Sequence, residues 1–173
     1  MCEYGSARID DAGACSECQR GGVDFSQGGP HRPVPRRGGD AIYGPYWYAG
    51  PDFTVRHGIY PAKDFDPNGY SNNFMTGVGD VDGDGWLDVL VNEWPGKEVA
   101  WFRNPGRDAA TVRASTGGWA KHLVHPVGDN EAPDFLDVTG DGKADLVFHT
   151  GGILGFATPS EKTGTERWTF VPC

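Results

Sequence analysis

An all-β fold assembled from short, repeating strand units is what this sequence predicts, and three observations carry it. Gly and Pro are abundant, at 27 and 13 of 173 residues, which favours many turns over long helices. Aromatic residues are plentiful, with 6 Trp, 6 Tyr and 9 Phe, and they suit strands better than a helical bundle. From residue 40 onward the chain also repeats itself, and such a period points to stacked units of one supersecondary type.

The repeat has three recognisable parts. Trp47-Tyr48-Ala49-Gly50-Pro51, Trp101-Phe102-Arg103-Asn104-Pro105 and Gly155-Phe156-Ala157-Thr158-Pro159 each end in aromatic-x-x-Pro, an aromatic strand running into a Pro turn, with the prolines 54 residues apart at each step. Each is preceded by an acidic residue and a short apolar run: Asp40-Ala41-Ile42-Tyr43, Asp88-Val89-Leu90-Val91 and Asp145-Leu146-Val147-Phe148. These runs are too short for helices and read as buried strands. A third part, His57-Gly58-Ile59-Tyr60-Pro61, is matched by His122-Leu123-Val124-His125-Pro126, and Trp168-Thr169-Phe170-Val171-Pro172 starts it once more. Units of 40–60 residues made of short strands point to propeller blades. The expectation is a partial β-propeller of about two full four-stranded blades plus part-blades. Its repeat units are about 40–51, 53–105 and 119–159, with the start of the next at 167–173. Two similar hairpins in a β-sandwich are the competing architecture, and the constant 54-residue step weighs against it.

Residues 1–39 stand apart. Gly-Gly recurs at 21–22, 28–29 and 38–39, Pro30, Pro33 and Pro35 interrupt any regular element, and large apolar side chains are sparse. Such a segment is expected to be a disordered or aberrant tail. It carries Cys2, Cys15 and Cys18, and Cys173 lies at the other end of the chain. Cys15 and Cys18 form a single C-x-x-C, which is half a zinc site, so a disulfide or free thiols are expected there.

The charge falls unevenly. Residues 1–39 are neutral, whereas 40–173 carry 10 basic against 19 acidic side chains, the whole of the net −9. A body so acidic repels phosphates and anionic lipid, which excludes nucleic acid as a partner. No apolar run reaches the length of a membrane span, so membrane insertion is not expected. Met1-Cys2-Glu3-Tyr4-Gly5-Ser6 shows no basic region followed by an apolar one, hence no visible signal peptide.

Two acidic loops carry the clearest chemistry. Asp80-Val81-Asp82-Gly83-Asp84-Gly85-Trp86-Leu87-Asp88 fits D-x-D-x-D-G-x-x-D. In a tight loop, Asp80, Asp82 and Asp84 turn onto one centre. The Trp86 carbonyl and the Asp88 carboxylate close the shell, and Gly85 permits the sharp turn. An all-oxygen set of this size suits Ca²⁺ better than Mg²⁺. Asp137-Val138-Thr139-Gly140-Asp141-Gly142-Lys143-Ala144-Asp145 is the same frame with a hydroxyl at its third position. Asp137, Thr139, Asp141, the Lys143 carbonyl and Asp145 are its candidate ligands. With one carboxylate fewer, it is expected to bind Ca²⁺ more weakly. Neither loop is an EF-hand, because Val91 and Phe148 stand where a bidentate Glu belongs, and a strand follows instead of a helix.

The stretch Gly77-Val78-Gly79-Asp80 through Asp88-Val89-Leu90-Val91 resembles an FG-GAP/VCBS repeat, the unit also found in integrin α-subunit propellers. Phe135-Leu136-Asp137 through Asp145-Leu146-Val147 is similar, and the resemblance extends over about residues 40–173. It implies a propeller of seven or eight blades, usually secreted, with Ca²⁺ held in loops between strands of a blade. Extracellular or periplasmic localisation is inferred from the resemblance. The unit ending at Asp40 departs from the pattern, with Arg32, Val34 and Arg36 where ligands belong. Residues 1–39 are therefore hypothesised to come from a shifted reading frame or an alien start. Resequencing the gene tests this: an adjacent frame must encode a loop of the D-x-D-x-D-G type.

No nucleophile–base arrangement, P-loop or dinucleotide fingerprint is present, so catalysis is not expected. Of the five histidines, His57 and His122 sit at repeating positions and read as packing residues. His122 and His125, three apart on a strand, are expected to face opposite ways. Trp101 and Trp119 read as core, whereas Trp86 and Trp94 flank the first loop and its strand and are candidates for an exposed contact. The resulting expectation is a calcium-binding repeat module in which Ca²⁺ rigidifies blade loops and the scaffold binds protein or carbohydrate. The alternatives are a piece of a larger secreted propeller hydrolase or lyase, or a truncated gene product. Two blades leave open edges that invite self-association, and Cys173 falls where a new blade begins.

Overall fold

The computed structural model describes residues 39–64, 68–69, 71–108, 118–129, 131–160 and 166–173. The expectations for the N-terminal tail, including Cys2, Cys15, Cys18 and the departures at Arg32, Val34 and Arg36, lie outside the described residues. Among these residues the fold is all-β: eleven strands and one 3-10 turn, Gly106–Asp108. The strands form three antiparallel sheets, each an up-and-down meander, which do not close into a ring.

The first sheet holds β1 (Ala41–Tyr43), β2 (Tyr46–Ala49) and β3 (Val55–Gly58) in that order. The second holds β4 (Met75–Gly79), β5 (Asp88–Asn92), β6 (Lys97–Arg103) and β7 (Ala120–Gly128). The third repeats it with β8 (Asp134–Leu136), β9 (Asp145–Thr150), β10 (Ile153–Thr158) and β11 (Thr169–Pro172). These are propeller-like blades. The apolar runs at 41–43, 88–91 and 145–148 are β1, β5 and β9, and the aromatic segments are β2, β6 and β10. The strand containing His57 closes the first sheet against β2, and the one containing His122 closes the second against β6. Each sheet is thus completed by a strand that the sequence pattern places at the head of the following unit.

Burial explains why β5 reads as a continuous apolar run. Val89 and Val91 pack with Trp47, Ile59, Phe102 and Trp119 between the first and second sheets. Leu90 packs with Val99, Trp101, Val124, Leu146 and Phe148 between the second and third. Alternate residues point to opposite faces, and with both faces covered every residue of β5 is buried. The close approach of the second and third sheets is set by Gly77, whose missing Cβ leaves room for the Phe135 ring.

Trp47 stacks on His57 at 4.2 Å and Trp101 on His122 at 4.6 Å, each a directly opposed cross-strand pair. The repeat-packing role expected of His57 and His122 is therefore what the structure shows. In the third sheet the same place is taken by Gly155 opposite Pro172, and the Phe170 ring fills the space above the glycine. His125 corrects an expectation. A bulge offsets the pairing between Val99 and Ala100, adding a residue to β7 and turning it by one position. His125 therefore meets Phe148 at 5.1 Å on the face where His122 meets Trp101, not on the opposite one.

Candidate functional site

Both acidic loops sit at the N-terminal ends of buried strands, β5 and β9, so their last carboxylates are fixed by the sheets themselves. Gly85 and Gly142, at the sixth position of each frame, both adopt φ of 86°. Only a residue without a Cβ takes that conformation at no steric cost. The turn then brings the backbone back over its own side chains. The Gly85 N–H donates to Asp80 Oδ2 and the Gly142 N–H to Asp137 Oδ2, each at 2.9 Å. The Trp86 N–H donates to Asp84 Oδ1 at 2.9 Å, and the Lys143 N–H to Asp141 Oδ1 at 2.8 Å. The two loops share one backbone path.

In the first loop, Asp80, Asp82 and Asp88 each present a carboxylate oxygen within 4.8 Å of the other two. Asp80 Oδ1 is buried and has no hydrogen-bond partner. Asp88 is fully buried. Its Oδ2 accepts the Val81 N–H at 3.0 Å and its Oδ1 the Asn104 N–H at 2.7 Å. Burial pushes its carboxyl up to about 7, Asp82 and Asp84 adding to the rise against these two donors. An uncompensated buried carboxylate beside two others carries that penalty, and a cation removes it.

The second loop differs at its third position. Thr139 donates its hydroxyl to Asp145 Oδ2 at 3.2 Å, alongside the Val138 and Thr139 N–H groups. Asp145 is fully buried, and its Oδ1 has no partner. Among the described residues the second loop does not bring three carboxylates together as Asp80, Asp82 and Asp88 do.

Two residues that the sequence reading passed over complete the first site. Asn104 is buried. Its Nδ2 donates to the Leu87 carbonyl at 2.9 Å, and its Oδ1 accepts the Gly106 N–H at 2.9 Å. It therefore pins the turn after β6 to the end of the loop. The signal was present in the repeat: the Gly50 N–H donates to Asp40 Oδ1 at 2.9 Å, as the Asn104 N–H does to Asp88. The aspartate heading each buried strand thus clasps the turn after the next strand in the first and second sheets. The other residue is Arg103, the last of β6. Its Nε lies 2.5 Å from Asp82 Oδ2, and one terminal nitrogen lies 3.1 Å from Asp84 Oδ2. Burial alone would lower its pKa, but Asp82 and Asp84 outweigh that and hold it above the ordinary value.

Trp86 lies half-buried over Gly106 in a cleft of about 520 Å³ beside the loop. Trp94 is exposed, with the Lys97 ammonium 5.7 Å from its ring centre. Trp101 and Trp119 are core residues, as expected.

The family model described as FG-GAP-like repeat matches residues 80–148, the span from the first acidic loop into β9. This part of the chain is similar to an FG-GAP-like repeat, which supports a repeat module of the β-propeller type. Comparison with curated proteins and with solved structures gives no match. No helix among the described residues is long and apolar enough to cross a membrane.

Proposed function

We propose that the chain is a calcium-binding repeat module whose loops at 80–88 and 137–145 each hold one Ca²⁺ and rigidify a blade. The observation that carries this reading is the buried, partnerless Asp80 Oδ1 beside the converging oxygens of Asp82 and Asp88. A buried acceptor left unsatisfied costs about 1–3 kcal/mol, more when charged, and coordination supplies what hydrogen bonding does not. Asp80, Asp82, Asp84, Asp88 and the Trp86 carbonyl would hold the first ion. Asp137, Thr139, Asp141, Asp145 and the Lys143 carbonyl would hold the second. Bound Ca²⁺ supplies positive charge that offsets carboxylate repulsion. The protein's part is to present the oxygens from a fixed loop, and Asp88 and Asn104 fasten that loop to β5 and β6.

The role is structural first, and the chain is read as non-catalytic. A second part of the proposal is that the scaffold binds protein or carbohydrate. A cleft of about 750 Å³ between the first and second sheets supports it, lined in part by Tyr43, Tyr46, Tyr60, Glu98 and Lys121. Aromatic faces with polar rims suit stacking on sugars or side chains. Localisation outside the cytoplasm and self-association through open sheet edges belong to the same reading.

The test is thermal melting of the full chain in Ca²⁺ and in chelator, with Asp80→Ala and Asp137→Ala variants. The reading expects Ca²⁺ to raise the melting temperature, each variant to lose part of the rise, and the double variant to lose all of it. A melting temperature indifferent to Ca²⁺ would sink it.

A further inference from the structure

We infer that Arg103 is a built-in competitor for the cation at the 80–88 loop and sets that loop's Ca²⁺ affinity below what its four carboxylates alone would give. The inference rests on the calcium reading above and concerns its regulation by a residue outside the loop.

The geometry carries it. Arg103 leaves the end of β6 and lays its guanidinium across Asp82 and Asp84, at 2.5 Å and 3.1 Å. These are the third and fifth positions of the frame, two of the four carboxylates that the proposed site assigns to the ion, and Asp82 is one of the three that converge. The Asp82 side chain is only 6% exposed, so the pair is largely withdrawn from water on that side. The Arg103 side chain is 46% exposed, which leaves the guanidinium a route to solvent when it lets go. A guanidinium and a divalent cation cannot share these oxygens without loss, since both are attracted by the same carboxylates and repel one another.

The second loop provides an internal comparison. In the repeat alignment Arg103 corresponds to Ala157 and Asp82 to Thr139. The extra carboxylate and the extra cation occur together in one blade and are both missing from the other. Counting carboxylates alone makes the first site the tighter one. Counting Arg103 as well gives each loop the same net charge from these positions, and the advantage of the first disappears.

The test uses the full chain carrying Asp137→Ala, so that the first loop is read alone. Tb³⁺ luminescence excited through Trp86, at the seventh loop position, reports occupancy, and Ca²⁺ displaces the probe. Arg103→Gln is expected to tighten Ca²⁺ binding roughly tenfold, the scale of a partly buried charge-assisted pair. It is also expected to lower the melting temperature in chelator, because the metal-free loop loses its counter-ion. Arg103→Lys, which keeps the charge without the fork, should fall between and guards against misfolding of the Gln variant. Unchanged or weaker Ca²⁺ binding in Arg103→Gln, with wild-type binding intact, overturns the inference and leaves the calcium reading standing. Absence of Tb³⁺ and Ca²⁺ binding in both wild type and Arg103→Gln overturns both.

Discussion

Replacing Asn104 by Ala tests how the acidic loop is held to its blade. The side chain donates to the Leu87 carbonyl and accepts from the Gly106 N–H, both at 2.9 Å. Ala supplies neither, and the residue is too buried for water to replace them without rearrangement. Leaving a buried polar group unsatisfied costs about 1–3 kcal/mol, so two such groups with partial relaxation give about 2–4 kcal/mol. The backbone bond from Asn104 to Asp88 Oδ1 survives the change, so the loss is confined to the side chain. The assay is urea unfolding in chelator, in which the midpoint should fall with an unchanged slope. The corresponding drop in melting temperature is roughly 5–15 °C for a chain of this size. Asn104→Asp keeps the acceptor for Gly106 but sets a carboxylate against the Leu87 carbonyl, and should be no more stable than Ala. A loss below about 0.5 kcal/mol, the level of an ordinary surface change, would refute the claim that this side chain fastens the turn.

Other outcomes follow from the same packing and charge. Gly77→Ala places a methyl group where the Phe135 ring now sits, and overpacking of this kind should cost about 1–3 kcal/mol by urea unfolding. Trp101→Ala empties a fully buried site stacked on His122 and should cost about 3–5 kcal/mol, measured by the same unfolding. The pH dependence has a definite sign. The folded-state value of Asp88, about 7, lies above its ordinary value of 3.8, so the metal-free fold binds that proton more tightly than the unfolded chain does. Its stabilising contribution is complete below about 3.8 and is lost as pH rises through about 7. Unfolding midpoints in chelator should therefore decline from about pH 4 to about pH 7 and level off above it, and excess Ca²⁺ should flatten or reverse that decline.

Much of the architecture was legible because it is written in periodic apolar runs. Asp88-Val89-Leu90-Val91 and Asp145-Leu146-Val147-Phe148 each became a buried strand, and the aromatic-x-x-Pro segments fell where β2, β6 and β10 end. The first strands of the second and third sheets were harder to see. β4 is Met75-Thr76-Gly77-Val78-Gly79, with two glycines demanded by the Phe135 ring, and β8 has only three residues. Neither has the β-branched alternation by which a strand is recognised. The membership of β3 and β7 was hidden for another reason: pairing with the preceding sheet is a tertiary choice and leaves no mark on local pattern. The bulge in β7 likewise reversed the expected facing of His125, because spacing predicts direction only in a regular strand.

The acidic frames themselves were visible residue by residue, since D-x-D-x-D-G-x-x-D states its own turn. What surrounds them was not. Arg103 lies 19 residues from Asp84 and Asn104 lies 16 from Asp88, and only the pairing of β5 with β6 brings them together. Internal comparison held one clue: Gly50 and Asn104 occupy the same repeat position, and both donate a backbone N–H to the aspartate that heads the preceding strand.

Calorimetric titration of the full chain with Ca²⁺ tests the central claim most directly. The account predicts two binding events, one lost with Asp80→Ala and the other with Asp137→Ala. Heat no greater than dilution, or binding that survives the double variant, would contradict it.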